Sequence, residues 1–193
     1  MKSAITIAAV AGLATVASAQ NVAFVNVTAS ASTIGIGEMA TISVILSDNI
    51  SGNSVFAFDL DVTGSGDAGF TLSDIAPDAS VFGWNGSISG NVASGLGGSS
   101  DILGPTLDSS LDGVAVYTFK VTGDSEGSVT FLASDGAGPN PAVQFGIEGG
   151  VVILPGFYDD IDFGNGVTIR VTPAPSGMAL LGLGGLAAAR RRR

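Results

Sequence analysis

The sequence predicts an all-β chain, a single sandwich of about nine strands over residues 20–172, with a segment of different chemistry at each end. Three observations carry this reading. Helical periodicity is nearly absent between residues 20 and 172. Short runs of alternating apolar and polar residues recur there instead, separated by clusters of Gly, Ser, Asn and Asp. The 29 glycines follow the turns, with neither a collagen-like period nor a domain-scale repeat.

The strands follow in order. Residues 23–29 open the domain, and residues 40–47 place Ile42, Val44 and Leu46 on one face. The clearest alternation spans residues 54–63: Phe56, Phe58, Leu60 and Val62 share one side, Ala57, Asp59 and Asp61 the other. Shorter strands are expected at 69–72 and 81–84. Residues 113–123 set Val114, Val116, Thr118 and Lys120 against Ala115, Tyr117, Phe119 and Val121. Residues 128–134 put Val129, Phe131 and Ala133 together. Strands at 143–147 and 151–154 follow, and Val167, Ile169 and Val171 close the domain. Residues 86–110, rich in Gly and Ser, are either a long loop or weak edge strands. Residues 136–141 hold two prolines and must turn.

The two ends read as delivery signals. Residues 1–19 form a secretory signal peptide: Lys2 supplies the positive start, residues 4–16 the apolar stretch, and Ala17-Ser18-Ala19 the small-residue cleavage box before Gln20. At the other end, Pro173 and Pro175 lead into an uncharged run over residues 176–189, closed by Arg190, Arg191, Arg192 and Arg193. A helix over that run spans roughly 21 Å against a hydrocarbon core of about 30 Å. Gly177, Gly182, Gly184 and Gly185 lower its hydrophobicity and helix propensity further. It is marginal as a permanent anchor and better suited to a transient stop, with the arginines held on the cytoplasmic side. Residues 173–193, with Pro173-Ala174-Pro175, the short apolar helix and the arginine cluster, resemble a PEP-CTERM sorting signal. The resemblance implies processing by an exosortase-type membrane protease after export, and delivery to the cell surface or extracellular matrix. Ala174 departs from that pattern, where an acidic residue is usual. An ordinary short membrane anchor is the competing reading.

Residues 20–172 suit one domain, long enough to bury a core without cross-links. They contain all 17 acidic residues of the chain and only two basic ones, Lys120 and Arg170, a net charge of −15 against −10 for the whole chain. Such a field repels phosphate backbones, which excludes nucleic acid as a partner. The absence of cysteine removes thiol nucleophiles and thiolate metal sites. The absence of histidine removes the commonest general base and transition-metal ligand, and with it Ser-His-Asp chemistry.

The strand order carries a second resemblance. Val25-Asn26-Val27, then Ile36-Gly37-Glu38 ahead of residues 41–46, then residues 55–62, resemble the opening of cohesin-type β-sandwiches. Residues 113–121 followed by Gly127-Ser128-Val129-Thr130-Phe131 look like the later paired strands of such modules. The resemblance implies a jelly-roll-like sandwich of nine strands. No residue matches a dockerin-recognition position, and fold alone does not assign function.

Candidate sites are few. Asp59 and Asp61 project from one strand face about 7 Å apart, which suits a paired-carboxylate hydrolase but also a solvated outer face. The stretch from Asp59 imitates a calcium loop, yet Phe70 stands where a bidentate glutamate is needed. Residues 64–69 spell GxGxxG, but a β-run follows instead of a helix, so a turn is the better reading. Asp159, Asp160 and Asp162, before Gly164-Asn165-Gly166, form the densest acidic cluster. With Asp135 and Glu148 they would offer oxygens to calcium; otherwise they keep an edge strand soluble. Trp84, the sole tryptophan, would stack on a sugar if exposed, although a lone tryptophan in a sandwich more often packs in the core. No catalytic residues and no required cofactor emerge. The expected function is a non-enzymatic, exported structural or adhesive module that meets surface proteins or exopolysaccharide. The alternative is a carbohydrate-binding, lectin-like module that uses Trp84 and calcium.

Overall fold

The computed structural model describes residues 21–49, 53–79, 81–100, 111, 113–136, 143–147 and 156–173. These form thirteen strands: β1 (Val22–Ala29), β2 (Thr33–Gly35), β3 (Met39–Asp48), β4 (Asn53–Gly66), β5 (Phe70–Pro77), β6 (Val81–Ser89), β7 (Val92–Ser100), β8 (Ala115–Gly123), β9 (Gly127–Asp135), β10 (Val143–Ile147), β11 (Gly156–Phe157), β12 (Asp160–Asp162) and β13 (Val167–Thr172). Nine of them, β1, β3 to β9 and β13, run for six residues or more. No helix occurs among the described residues. The leader, the strand expected at 151–154, Glu148 and everything after Pro173, including the apolar C-terminal helix, lie outside them.

Two sheets make the sandwich. The first has the order β12-β1-β3-β8-β5. In the second, the path β11-β10-β4-β9-β13-β2 is extended by β7 on β4 and β6 on β7. Strand β4 is the axis of this sheet. Its first half pairs with β10 and its second half with β9, end to end, while β7 pairs with it over Ala57–Thr63. The last strands join the layers: β12 runs parallel to β1 in the first sheet, and β13 parallel to β2 in the second.

Alternation places the core between the sheets. Val25, Val27, Ile42, Val44, Leu46, Phe119 and Val121 point inward from the first sheet, and Phe58, Leu60, Val62, Val129, Phe131, Ile169 and Val171 from the second. Edge-to-face aromatic pairs span the gap: Phe119–Phe131 at 6.1 Å, Phe70–Phe131 at 5.5 Å and Phe58–Tyr117 at 5.6 Å. Each contributes roughly 0.5–1.5 kcal/mol beyond its buried area. Gly64 makes room for them, because a Cβ there would stand 2.6 Å from the Phe70 ring and 2.7 Å from that of Phe131.

Two departures from simple alternation matter. The β3–β8 register shifts between Val44 and Ile45, which skips Val116, so both Val116 and Tyr117 are buried. Residues 86–100 are strand, not loop: β6, at the sheet edge, and β7, between β6 and β4, form a hairpin around Gly90-Asn91, anchored by buried Ala93 and Leu96. Asn91 fixes its tip, with Nδ2 donating to the Gly64 carbonyl and its own carbonyl accepting from Gly64 N, both at 2.8 Å. The GxGxxG stretch is the crossing from β4 in the second sheet to β5 in the first.

Candidate interaction faces and acidic turns

The outward face of the first sheet is a grid of hydroxyls. Register aligns Thr28, Ser43 and Thr118 in one row, Thr41, Lys120 and Ser73 in the next, and Met39, Thr122 and Thr71 in a third. Neighbours along a row stand about 4.8 Å apart, and successive rows about 6.7 Å apart. Lys120, the only lysine of residues 20–172, lies at the centre and donates to Asp74 Oδ2 at 2.8 Å. Asp74 takes a left-handed conformation (φ 52°) where the β5–β8 register shifts.

The outward face of the second sheet is also polar. Ser65, Thr130 and Thr168 align across β4, β9 and β13, with 2.8 Å between the hydroxyls of Thr130 and Thr168. Leu132, 44% exposed, stands opposite Thr63. Asp59 and Asp61 lie on this outward side, as alternation predicts, and both are half-buried. Asp61 Oδ1 accepts from Gly95 N of β7 at 2.8 Å, while Asp59 is packed beside Gly136. One carboxylate is thus committed to holding the hairpin.

The same use of acids recurs at the turns. Asp159 Oδ2 accepts from Asn21 N at 2.9 Å, Asp160 Oδ1 from Ile161 N at 2.9 Å, and Asp162 Oδ1 from Gly164 N at 2.8 Å. Asp159 precedes the short edge strand β12, whose end residues Asp160 and Asp162 face solvent on either side of part-buried Ile161. Asp135 ends β9 in the other sheet. Elsewhere Glu38 accepts from Gly35 N, Asp67 from Ser128 N, Asp124 from the Thr71 hydroxyl and Asp48 from the Tyr158 hydroxyl, all at 2.7–2.8 Å. Among the described residues, no three acidic side chains are placed to hold one metal ion. Chemically the arrangement fastens turns and edges.

Trp84 falls on β6, an edge strand, and its side chain lies outside the described residues. Pro173 is exposed just after β13. Ala17, Ala19, Ala174, Pro175 and Arg190 to Arg193 lie outside the described residues. Sequence reasoning missed the polar centre of the core. The Tyr117 hydroxyl reaches from β8 across the sandwich to the carbonyls of Asn85 (2.7 Å) and Gly97 (2.8 Å) on the β6–β7 hairpin. Burial pushes its pKa up to about 12, partly offset by the Asn85 hydrogen bond. The one available signal was a tyrosine at an inward position of β8.

No family model matches the sequence, and no curated protein matches it either. Solved structures match its fold. The seventh ScaB type I cohesin from Pseudobacteroides cellulosolvens aligns with a TM-score of 0.52 at 8% identity, over 81% of this chain and 95% of that one. A cohesin module from the family 33 glycoside hydrolase of Clostridium perfringens aligns at 0.47 with 12% identity, over 78% and 98%. A non-cellulosomal cohesin from the archaeon Archaeoglobus fulgidus aligns at 0.44 with 11% identity, over 84% and 98%. The sandwich is therefore cohesin-like in architecture, and at these identities the likeness concerns the fold alone.

Proposed function

We propose that this chain is an exported, non-enzymatic surface or matrix protein whose cohesin-like sandwich serves as a structural or adhesive module. The observation that carries the reading is how its polar residues are used. Carboxylates fasten turns and edges, while Ser and Thr line much of the first sheet's outward face and form a row across β4, β9 and β13 on the second. Broad faces of this kind suit contact with another macromolecule, either a surface protein or exopolysaccharide, better than they suit turnover of a small substrate. The leader at 1–19 and the PEP-CTERM-like tail at 173–193 support export, followed by processing at the membrane by an exosortase-type protease.

Mass spectrometry of the protein from the surface of its native cells tests delivery. An N-terminus at Gln20 and loss of residues 176–193 are expected; a cytoplasmic protein with residues 1–19 intact overturns the reading. Amine-reactive crosslinking on intact cells tests adhesion, since Lys120 reports on the first sheet's face. Crosslinks to other surface proteins are expected. Retention by exopolysaccharide alone would favour the lectin-like alternative.

A further inference from the structure

Three large hydrophobic side chains stand exposed among the described residues: Ile36 (40%), Met39 (60%) and Leu132 (44%). Leu132 is isolated in the middle of β9. Ile36 lies in the turn between β2 and β3, Met39 is the first residue of β3, and that turn is stitched to the end of the last strand. Ile36 N donates to the Thr172 carbonyl at 3.0 Å, and Gly37 N to the Gly123 carbonyl at 2.8 Å. Thr172 pairs with Gly35. Exposed Pro173 follows, and the uncharged run begins four residues beyond Thr172, at Ser176. Four extended residues reach at most about 14 Å. Whatever holds that run therefore holds this end of the sandwich close beside it. An apolar run closed by four arginines has the chemistry of a segment seated in a bilayer, so the surface within reach of Ile36 and Met39 is a lipid one.

We propose that the tip formed by Ile36 and Met39 rests on the bilayer surface while the C-terminal segment tethers the chain, an inference that rests on reading residues 173–193 as membrane-directed. Two side chains alone would bind lipid weakly. Tethering raises their effective concentration at the surface, so they need only fix orientation. The seated domain stands end-on and holds Pro173 and the residues after it at headgroup level, where a membrane protease would meet them. Strand β3 then leads away from the membrane, and its far end at Asp48 lies about 30 Å off. Glu38, Asp67, Asp124 and Glu126 surround the seated end. Glu38, Asp67 and Asp124 are turned onto protein donors, but their charge still opposes anionic headgroups. Seating is therefore favoured by zwitterionic lipid.

The chain contains no cysteine, so a single engineered one can carry a polarity-sensitive dye. Thr122→Cys labels the register partner of Met39 and leaves the tip intact. Asp160→Cys labels the far end, beside Val22. The full chain, expressed with leader and tail and taken from the membrane fraction, is reconstituted into phosphatidylcholine vesicles containing a nitroxide-headgroup lipid. The dye at 122 should be blue-shifted and quenched several-fold more than the dye at 160. Adding phosphatidylglycerol, or combining Ile36→Asn with Met39→Asn, should bring it to the far-end level, with circular dichroism unchanged. Equal quenching at 122 and 160 in protein that stays on the vesicles overturns this inference alone. Protein that leaves the vesicles altogether overturns the membrane reading of the tail, and this inference with it.

Discussion

The hydroxyl of Tyr117 lies 2.7 Å from the carbonyl oxygen of Asn85, so a side chain rooted in one sheet completes the hydrogen bonding of a hairpin in the other. The β6–β7 register shifts on both sides of Asn85, which frees its carbonyl to turn inward. Gly97, its register partner, offers a second carbonyl at 2.8 Å. A bulge at Val116 on β8 and an irregular hairpin opposite thus meet at one buried phenol.

Tyr117→Phe keeps the ring and its edge contact with Phe58 but leaves two carbonyls without their shared donor. A loss of about 1–3 kcal/mol is expected, measured by urea unfolding at pH 8. The pH dependence follows from the raised pKa. The unfolded chain releases this proton near pH 10 and the folded one near 12. Between those values the unfolded state binds fewer protons, so stability present below pH 10 is lost as pH rises toward 12. The gap between wild type and Tyr117→Phe should therefore narrow across that window; a constant gap would contradict the buried, proton-donating phenol.

Gly64→Ala should be costly for the addition of a single methyl group. The new Cβ meets two aromatic rings that are themselves paired, so a loss of about 1–3 kcal/mol is expected. In a Phe70→Ala background the added cost should shrink, because one of the two rings is gone. Gly37→Ala makes the contrast. Space is open there, but φ is +83°, so its cost of about 1–2 kcal/mol comes from the backbone alone and should be unchanged by Phe70→Ala.

These relationships show what was legible and what was not. The alternation of Ile42, Val44 and Leu46, and of Phe58, Leu60 and Val62, gave the inward faces directly, since a strand half-buried in a sandwich must repeat every two residues. Val116 escaped because a bulge is set by the partner strand's register. Residues 86–100 were ambiguous because glycine and serine carry little strand propensity; pairing with β4 and the burial of Ala93 and Leu96 decide the outcome. Acidic clusters could be placed at turns, but not their partners: Asp159 meets Asn21 across 138 residues of sequence. Tyr117 was hidden for the same reason, since its acceptors are backbone carbonyls 32 and 20 residues away.

Asp74 combines a left-handed backbone with the Lys120 ion pair, and substitutions separate the two. The pair is exposed and so contributes little, about 0.2–1 kcal/mol. Asp74→Asn tolerates φ 52° and loses only that, with the loss vanishing in high salt. Asp74→Ala adds the backbone cost, for a total of about 1–3 kcal/mol that salt does not remove. Asp74→Gly should fall near wild type, because relief of the backbone offsets the lost ion pair. Thermal unfolding at low and high salt distinguishes the three.

Calcium poses the last test of the acidic turns. Asp159, Asp160 and Asp162 each accept from a different backbone amide, whereas calcium draws six to eight oxygens around one centre. Binding there would have to break the Asp159 bond to Asn21, just ahead of β1, and the local turn bonds of Asp160 and Asp162. The domain's net charge of −15 nevertheless means that any added salt screens self-repulsion and raises the melting temperature. Calcium must therefore be compared with sodium chloride at equal ionic strength. Matched curves are the expected result. A calcium-specific rise that saturates in the millimolar range and disappears in Asp162→Asn would mean that oxygens from beyond the described residues complete a site at β12, and it would shift the functional reading toward a calcium-dependent lectin.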